Sequence, residues 1–256
     1  NLLSEARNLQ GRLKGKMESL GFDLRTEALL DTLTLDVVKS SEIEGEFLNP
    51  DQVRSSIARR LGMDIAGSVD SDRDVDGVVE MMLDATHNCF EPLSTGRLFD
   101  WHAALFPTGR SGMYKIRVAD WRKDTTGPMQ VVSGAMGKEK VHFQAPDSEL
   151  VENEMLLFLD WFNNDDKLDL VLKAAITHLW FVTIHPFEDG NGRITRALSD
   201  MILARADRSN QRFYSMSAQI RKERKGYYEI LEKTQKGDLD IKEWIIWFLQ
   251  CLINAL

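Results

Sequence analysis

An α-helical chain with one small β-hairpin is the fold class this sequence predicts, and three observations predict it. Long periodic apolar segments dominate. Glycine (17) and proline (6) are sparse among 256 residues. Only residues 127–146 read as paired strands. Apolar residues make up 43%, which allows a substantial core. The length fits one large domain or two small ones.

Taken in order, residues 1–62 form an N-terminal helical region. Within it, residues 26–44 make a helix with many apolar positions, and Gly45 is its stop. Asn49-Pro50 supplies the cap and first position of a helix reaching Leu61. Residues 67–76, rich in Asp and Ser, form an exposed loop. Residues 75–90 and 94–106 are two further helices. The runs 127–134 and 141–146 flank a Gly/Lys-rich turn, which is a hairpin pattern. Residues 170–184 contain neither Gly nor Pro and suit a buried helix. Pro186 ends it, because the residue before proline is pushed out of helical geometry. A helix from near Gly192 to about Ala206 follows. Two closing helices, 217–235 and 240–256, are separated at Gly237-Asp238. Trp101, Trp161, Trp180, Trp244 and Trp247 are most simply core residues.

The net charge of −8 argues against a general nucleic-acid surface. Cys89 and Cys251 have neither a disulfide framework nor metal spacing. No apolar run reaches membrane length and no leader pattern opens the chain, so a cytoplasmic home is expected. The chain begins on Asn1 and ends on an apolar helix, as a piece of a longer protein would.

The densest chemistry lies in His185-Pro186-Phe187-Glu188-Asp189-Gly190-Asn191-Gly192-Arg193, followed by Arg196. A tight loop opening onto a helix N-terminus presents free N–H groups and a positive dipole end, which suits phosphate. Gly190 and Gly192 permit close backbone approach. His185 can take a proton near neutral pH. Asp189 is a hard oxygen ligand suited to Mg²⁺. Asn191 can hydrogen-bond a phosphate oxygen. Arg193 and Arg196, three residues apart on one helix face, can grip phosphates bidentately. Phe187 points into the core. A His/Asp pair four apart could also hold a transition metal on a helix, but the proline and glycines oppose a continuous helix there. A lone Asp-Gly-Asn-Gly is more often a plain turn; the whole string with both arginines is far more specific.

This string resembles the signature of Fic-domain (Fic/Doc) proteins, H-x-F-x-[D/E]-G-N-[G/K]-R-x-x-R. The resemblance implies an AMP transfer from ATP, with Mg²⁺, onto a protein hydroxyl. It implies His185 as catalytic base and Asp189 as the Mg²⁺ ligand. Gly190, Asn191 and Gly192 become the anion hole, and Arg193 and Arg196 the phosphate ligands. Glycine at 192 is the form found in AMP-transferring members; a phosphorylating branch has lysine there. The family core is expected over 75–206 and closing helices over 207–256. The hairpin becomes a flap over 128–146 that aligns a protein target by strand addition. Read alone, the hairpin could equally well merely cap the helices. Lys115, Arg117, Trp121 and Arg122 resemble the family segment leading into the flap, with no role assigned.

Upstream, Ser40-Ser41-Glu42-Ile43-Glu44-Gly45 resembles the family's inhibitory pattern [S/T]-x-x-x-E-[G/N]. Read alone, Glu42, Glu44 and Glu46 form a solvated acidic helix end. A carboxylate opposes the dipole there, a cost easier to understand if the acid meets an arginine. By resemblance Ser40, Glu44 and Gly45 are inhibitory, Glu44 pairs with Arg196, and the chain belongs to the self-inhibited class with an N-terminal inhibitory helix. In some members the same glutamate positions water for removal of AMP, so a de-AMPylating phosphodiesterase is an alternative. A nucleotide-binding regulatory protein without turnover is another. Relatives often dimerise and carry a further C-terminal module, so a homodimer and self-modification are also implied. Arg221-Lys222-Glu223-Arg224-Lys225 reads as a solvated helix face, with phosphate or partner binding as the alternative. Tyr227-Tyr228 sits where relatives often place an aromatic near nucleotide, although such pairs are usually core.

Overall fold

The computed structural model describes residues 1–125, 127–133 and 140–256. Its helices are α1 (Leu2–Glu18), α2 (Phe22–Ile43), α3 (Pro50–Arg60), α4 (Arg73–His87), α5 (Thr95–Leu105), α6 (Ser148–Asn164), α7 (Leu170–Ile184), α8 (Asn191–Asp207), α9 (Met216–Lys222), α10 (Arg224–Gln235) and α11 (Lys242–Ala255). Two antiparallel hairpins accompany them among the described residues: β1 (Arg110–Ser111) with β2 (Tyr114–Lys115), and β3 (Gln130–Ser133) with β4 (Lys140–Gln144). The second is the expected hairpin, and the Gly/Lys-rich turn expected between its strands, at 134–139, lies outside the described residues. The predicted all-helical class with a small β element is the fold observed.

Helices α7 and α8 form the central pair, with α4 and α11 packed beside them. The reason is compositional. α8 is buried from Asn191 to Ala204 apart from Gly192, and α7 carries Val171, Ala174, Ala175, Phe181 and Ile184 inward. Helix α2 packs on α3 and α9, and α1 on α11. Trp101 and Trp244 are core; Trp161, Trp180 and Trp247 are half-buried against it. Cys89 and Cys251 are free and buried. Among the described residues, no helix is long and apolar enough to cross a membrane.

Several boundaries differ from the expectation. α2 begins four residues earlier than residue 26, and α6, not anticipated as a helix, packs Val151, Met155, Phe158 and Phe162 into the core. The 217–235 segment is two helices, because Glu223 departs from helical geometry (φ −100°, ψ 20°) while its carboxylate accepts from Asn254 Nδ2 at 3.1 Å. The β1–β2 hairpin was too short to leave a periodic signal.

Polar ties fix the N-terminal helices. Arg7 grips Asp169, the N-cap residue of α7, at 2.9–3.2 Å through two guanidinium nitrogens. Asp200 on α8 pairs with Arg212 in a fully buried ion pair. Beside it, Asp36 of α2 accepts from the Ser217 N–H at 3.2 Å and from the Ser215 hydroxyl. Helix α2 is thereby tied to the start of α9, and the segment leading into α9 is tied to α8.

Candidate active site

His185 is the C-cap of α7 and adopts left-handed backbone geometry (φ 53°, ψ 57°). Such a conformation costs a non-glycine residue about 1 kcal/mol or more. It is held by its surroundings: Arg122 donates Nε to the His185 carbonyl at 2.8 Å, and the Arg122 N–H donates to the Pro186 carbonyl at 2.9 Å. The His185 ring donates Nδ1–H to the Val182 carbonyl at 3.1 Å. That fixes the tautomer and leaves Nε2 with its lone pair, the state a base requires. Burial pushes the imidazole below its ordinary pKa of 6.5; the Val182 bond opposes this and the Arg122 charge adds to it.

The loop beyond is closed by its own atoms. Asn191 accepts the Phe187 N–H on Oδ1 at 3.0 Å and donates Nδ2 to the Phe187 carbonyl at 2.8 Å. Its carboxamide is therefore occupied, and what Asn191 can offer an anion is its backbone N–H. Phe187 is fully buried, stacked on His102 at 4.2 Å. His102 is also buried; it donates Nε2–H to the Asp189 carbonyl at 3.1 Å and accepts the Ala119 N–H on Nδ1 at 3.2 Å. Both ring nitrogens are satisfied by a neutral imidazole, and burial lowers its pKa to about 4. Asp189 accepts the Gly190 N–H on Oδ1 at 2.6 Å and the Ser111 hydroxyl on Oδ2.

Gly190 is the N-cap of α8 at φ 80°, and a Cβ there would meet the Phe106 ring at 2.9 Å. Only glycine satisfies both constraints. The first N–H groups of α8 open beyond it. A Cβ on Gly192 would lie 2.0 Å from Glu44 Oε1, so the Glu44 carboxylate rests directly against this helix start.

Helix α2 ends in a Schellman turn. Gly45 takes φ 86°, its N–H bonds the Glu42 carbonyl at 3.1 Å, and the Glu46 N–H bonds the Ser41 carbonyl at 3.0 Å. The turn aims Glu44 at α8. The guanidinium of Arg196, only 1% exposed, spends its nitrogens on α2's last turn. Nε donates to Ser40 Oγ at 2.9 Å, Nη2 to the Ser40 carbonyl at 2.8 Å, and Nη1 lies 2.8 Å from Glu44 Oε1. Arg193 Nη1 meets Glu46 Oε2, and its guanidinium carbon lies 5.1 Å over the Phe106 ring.

The structure thus brings His185, Asp189, Gly190, Asn191, Gly192, Arg193 and Arg196 together with Ser40, Glu44 and Gly45. The acidic end of α2 is not simply solvated, and neither is the basic run. Arg224 donates Nε to the Ile43 carbonyl at 2.9 Å, and Arg221 lies 3.4 Å from Glu42. Tyr227 is core, its hydroxyl donating to His178 Nε2 at 2.9 Å; Tyr228 is half-buried, 3.5 Å from the Ile43 carbonyl. His102 and Ser111 escaped the sequence reading, and Arg122 and Arg224 were noticed without these roles, because each acts through contacts distant in sequence. Arg122 also binds Asp124 at 2.6 Å and the Pro146 carbonyl, tying the foot of the flap hairpin to the loop.

Asp189 fits a hard cation. Its two hydrogen bonds leave carboxylate lone pairs free beside an anion-binding helix start, the one-carboxylate pattern that Mg²⁺ uses when phosphates supply the rest. Among the described residues, no cluster of three or more His, Cys, Asp or Glu side chains forms a metal cage.

A helical bundle here carries a histidine of fixed tautomer just before a helix whose first turns bear two buried arginines. Residues 92–203 match the Fic/DOC family model, and over that stretch the chain is similar to Fic-domain proteins. Residues 1–63 match a domain of unknown function, DUF4172, which contains the Ser40–Gly45 motif. A probable protein adenylyltransferase of Aquifex aeolicus is 34% identical over 98 residues, 37% of this chain and 31% of that protein. The protein adenylyltransferase Fic of Nematostella vectensis is 36% identical over 108 residues, 41% of this chain and 23% of that protein. The matched stretch therefore spans less than a third of these curated relatives. Two solved structures share the fold. A Fic family protein from Desulfovibrio desulfuricans gives a TM-score of 0.71 at 24% identity, covering 100% of this chain and 71% of that one. A Fic-domain signaling protein from Bacteroides thetaiotaomicron gives 0.69 at 19% identity, covering 98% and 93%.

Proposed function

We propose that this chain is a protein adenylyltransferase that moves AMP from ATP to a Ser, Thr or Tyr hydroxyl of a target protein, and that Glu44 holds it inactive. The observation that carries the reading is Arg196. A nearly inaccessible guanidinium beside a helix N-terminus, hydrogen-bonded to Ser40 and ion-paired with Glu44, reads as a phosphate ligand with its ligand position taken by a carboxylate.

In the released state, His185 Nε2 takes the proton of the target hydroxyl. The hydroxyl oxygen attacks the α-phosphorus, the bond to the bridging oxygen breaks, and pyrophosphate leaves. Arg193 and Arg196 bind the β- and γ-phosphates, and the N–H groups of Gly190, Asn191 and Gly192 face the developing charge. Asp189 would hold Mg²⁺, which would supply neutralisation of phosphate charge. Positioning and electrostatics do most of the work. Among the described residues β3 pairs only with β4, and a target segment adding to its other edge would be aligned by main-chain bonds. The two free cysteines fit a reducing, cytoplasmic compartment.

The test is labelled ATP with Mg²⁺ applied to wild type, Glu44→Gly and Glu44→Gly/His185→Ala. Label should enter protein, the enzyme itself included, strongly in Glu44→Gly and only at background in the other two. Equal labelling by wild type and Glu44→Gly would remove the inhibitory role. No labelling from any variant would remove the transferase reading. Release of AMP from modified protein by wild type, lost in Glu44→Gly, would favour the phosphodiesterase instead.

A further inference from the structure

We propose that Glu46 is a second inhibitory carboxylate, which occupies Arg193 as Glu44 occupies Arg196. The inference rests on the reading of Arg193 as a phosphate ligand and extends the self-inhibition beyond the Ser40–Gly45 motif.

Spacing supports a one-to-one match. Arg193 and Arg196 lie on neighbouring turns of one α8 face. Glu44 and Glu46 flank Gly45, whose φ of 86° turns the chain so that both side chains approach that face. Glu44 Oε1 meets Arg196 Nη1, and Glu46 Oε2 meets Arg193 Nη1. The Arg193 side chain is only 4% exposed, against 42% for Glu46. Arg193 is thus a fixed, buried cation and Glu46 the mobile partner that can leave. Arg193 Nε is buried with no hydrogen-bond partner, so the guanidinium retains donor capacity facing inward.

Charge makes the contact inhibitory. Burial raises the Glu46 carboxyl above its ordinary pKa; Arg193 opposes this, and the negative charges of Asp189 and Glu44 add to it. Two carboxylates therefore meet two guanidinium groups, with the Asp189 charge close enough to act on Glu46. A polyphosphate entering beside them adds like charge unless both glutamates leave. Glu44 alone can be displaced from Arg196 while Glu46 still masks Arg193. Phosphates would then be gripped at one point rather than two.

The test compares wild type, Glu46→Gln, Glu44→Gly and Glu44→Gly/Glu46→Gln as full chains. MgATP affinity is read by calorimetry and label incorporation at subsaturating and saturating ATP. Glu46→Gln should bind MgATP about three- to tenfold tighter than wild type, the range expected for losing a half-exposed competing ion pair. The double variant should exceed Glu44→Gly similarly in affinity and in labelling at subsaturating ATP, the gain vanishing at saturation. Unchanged affinity in both backgrounds overturns the proposal. Weaker binding also overturns it, because Glu46 would then be positioning Arg193 for the nucleotide. A rise in affinity without labelling by any variant leaves the second lock standing while the transferase reading fails. Unchanged affinity with strong labelling by Glu44→Gly does the reverse.

Discussion

At the scale of single residues, His185 couples an unusual backbone conformation to a defined proton state. Its Nδ1–H is committed to Val182, so Nε2 alone faces outward. Because burial lowers its pKa, the neutral, proton-accepting form persists to lower pH than in a free imidazole. Removal of Glu44 takes away one of the charges that raises it. Labelling by Glu44→Gly should therefore lose activity on an acidic limb centred below pH 6.5, measured as rate against pH at saturating MgATP. A limb centred at or above that value would show that another group controls the proton transfer. His185, Asp189 and both arginines were legible in the sequence because their chemistry and spacing are local. The role of Asn191 was less so: its type is right for phosphate, but its side chain closes the loop onto Phe187.

At the scale of elements, α2 is a helix whose end is fastened by other helices. Its C-terminal dipole is negative, and Glu44 sits there at a cost. Arg196 offsets that cost from α8, and Arg224 does so at the start of α10 by binding the Ile43 carbonyl. Arg224 bonds the Ile43 carbonyl and lies over the Tyr228 ring. A charge-assisted bond in such a place contributes about 1 kcal/mol, which corresponds to roughly a fivefold change in population. Arg224→Met should therefore raise basal labelling about fivefold over wild type and leave Glu44→Gly unchanged. A change of equal size in both backgrounds would mean that Arg224 affects the site by another route. The sequence marked 221–225 as basic and could not show where it points, since its partners lie about 180 residues earlier.

At the scale of the whole molecule, buried neutral histidines tie the site to stability. His102 braces the motif loop; His178 donates Nδ1–H to Ser199 at 2.9 Å and accepts from Tyr227, joining α7, α8 and α10. Burial lowers their pKa values from 6.5 to about 4 and about 3. A depressed folded pKa means the unfolded chain binds protons first as pH falls. The contribution is thus complete above pH 6.5 and is lost progressively toward the folded values. Between pH 7 and 5 each histidine should withdraw about 2 kcal/mol. Asp200, Asp207 and Glu46, whose pKa values burial raises, act with the opposite sign. The direct check is imidazole NMR: neither ring should titrate in the folded protein between pH 7 and 5. Protonation of either within that range would refute the assignment.

The sequence by itself determined the helical class, the hairpin, the glycine-rich loop opening onto α8 and the acidic stop of α2. Each is a local pattern, set by periodicity, by proline and glycine geometry, and by charges a few residues apart. Only the tertiary structure decided that α2 lies across the start of α8, that Glu46 as well as Glu44 meets an arginine, and that Arg122 and His102 hold the loop in shape. Those contacts join residues from 63 to more than 150 positions apart. Their geometry follows from which apolar faces pack together, which no short stretch of sequence specifies.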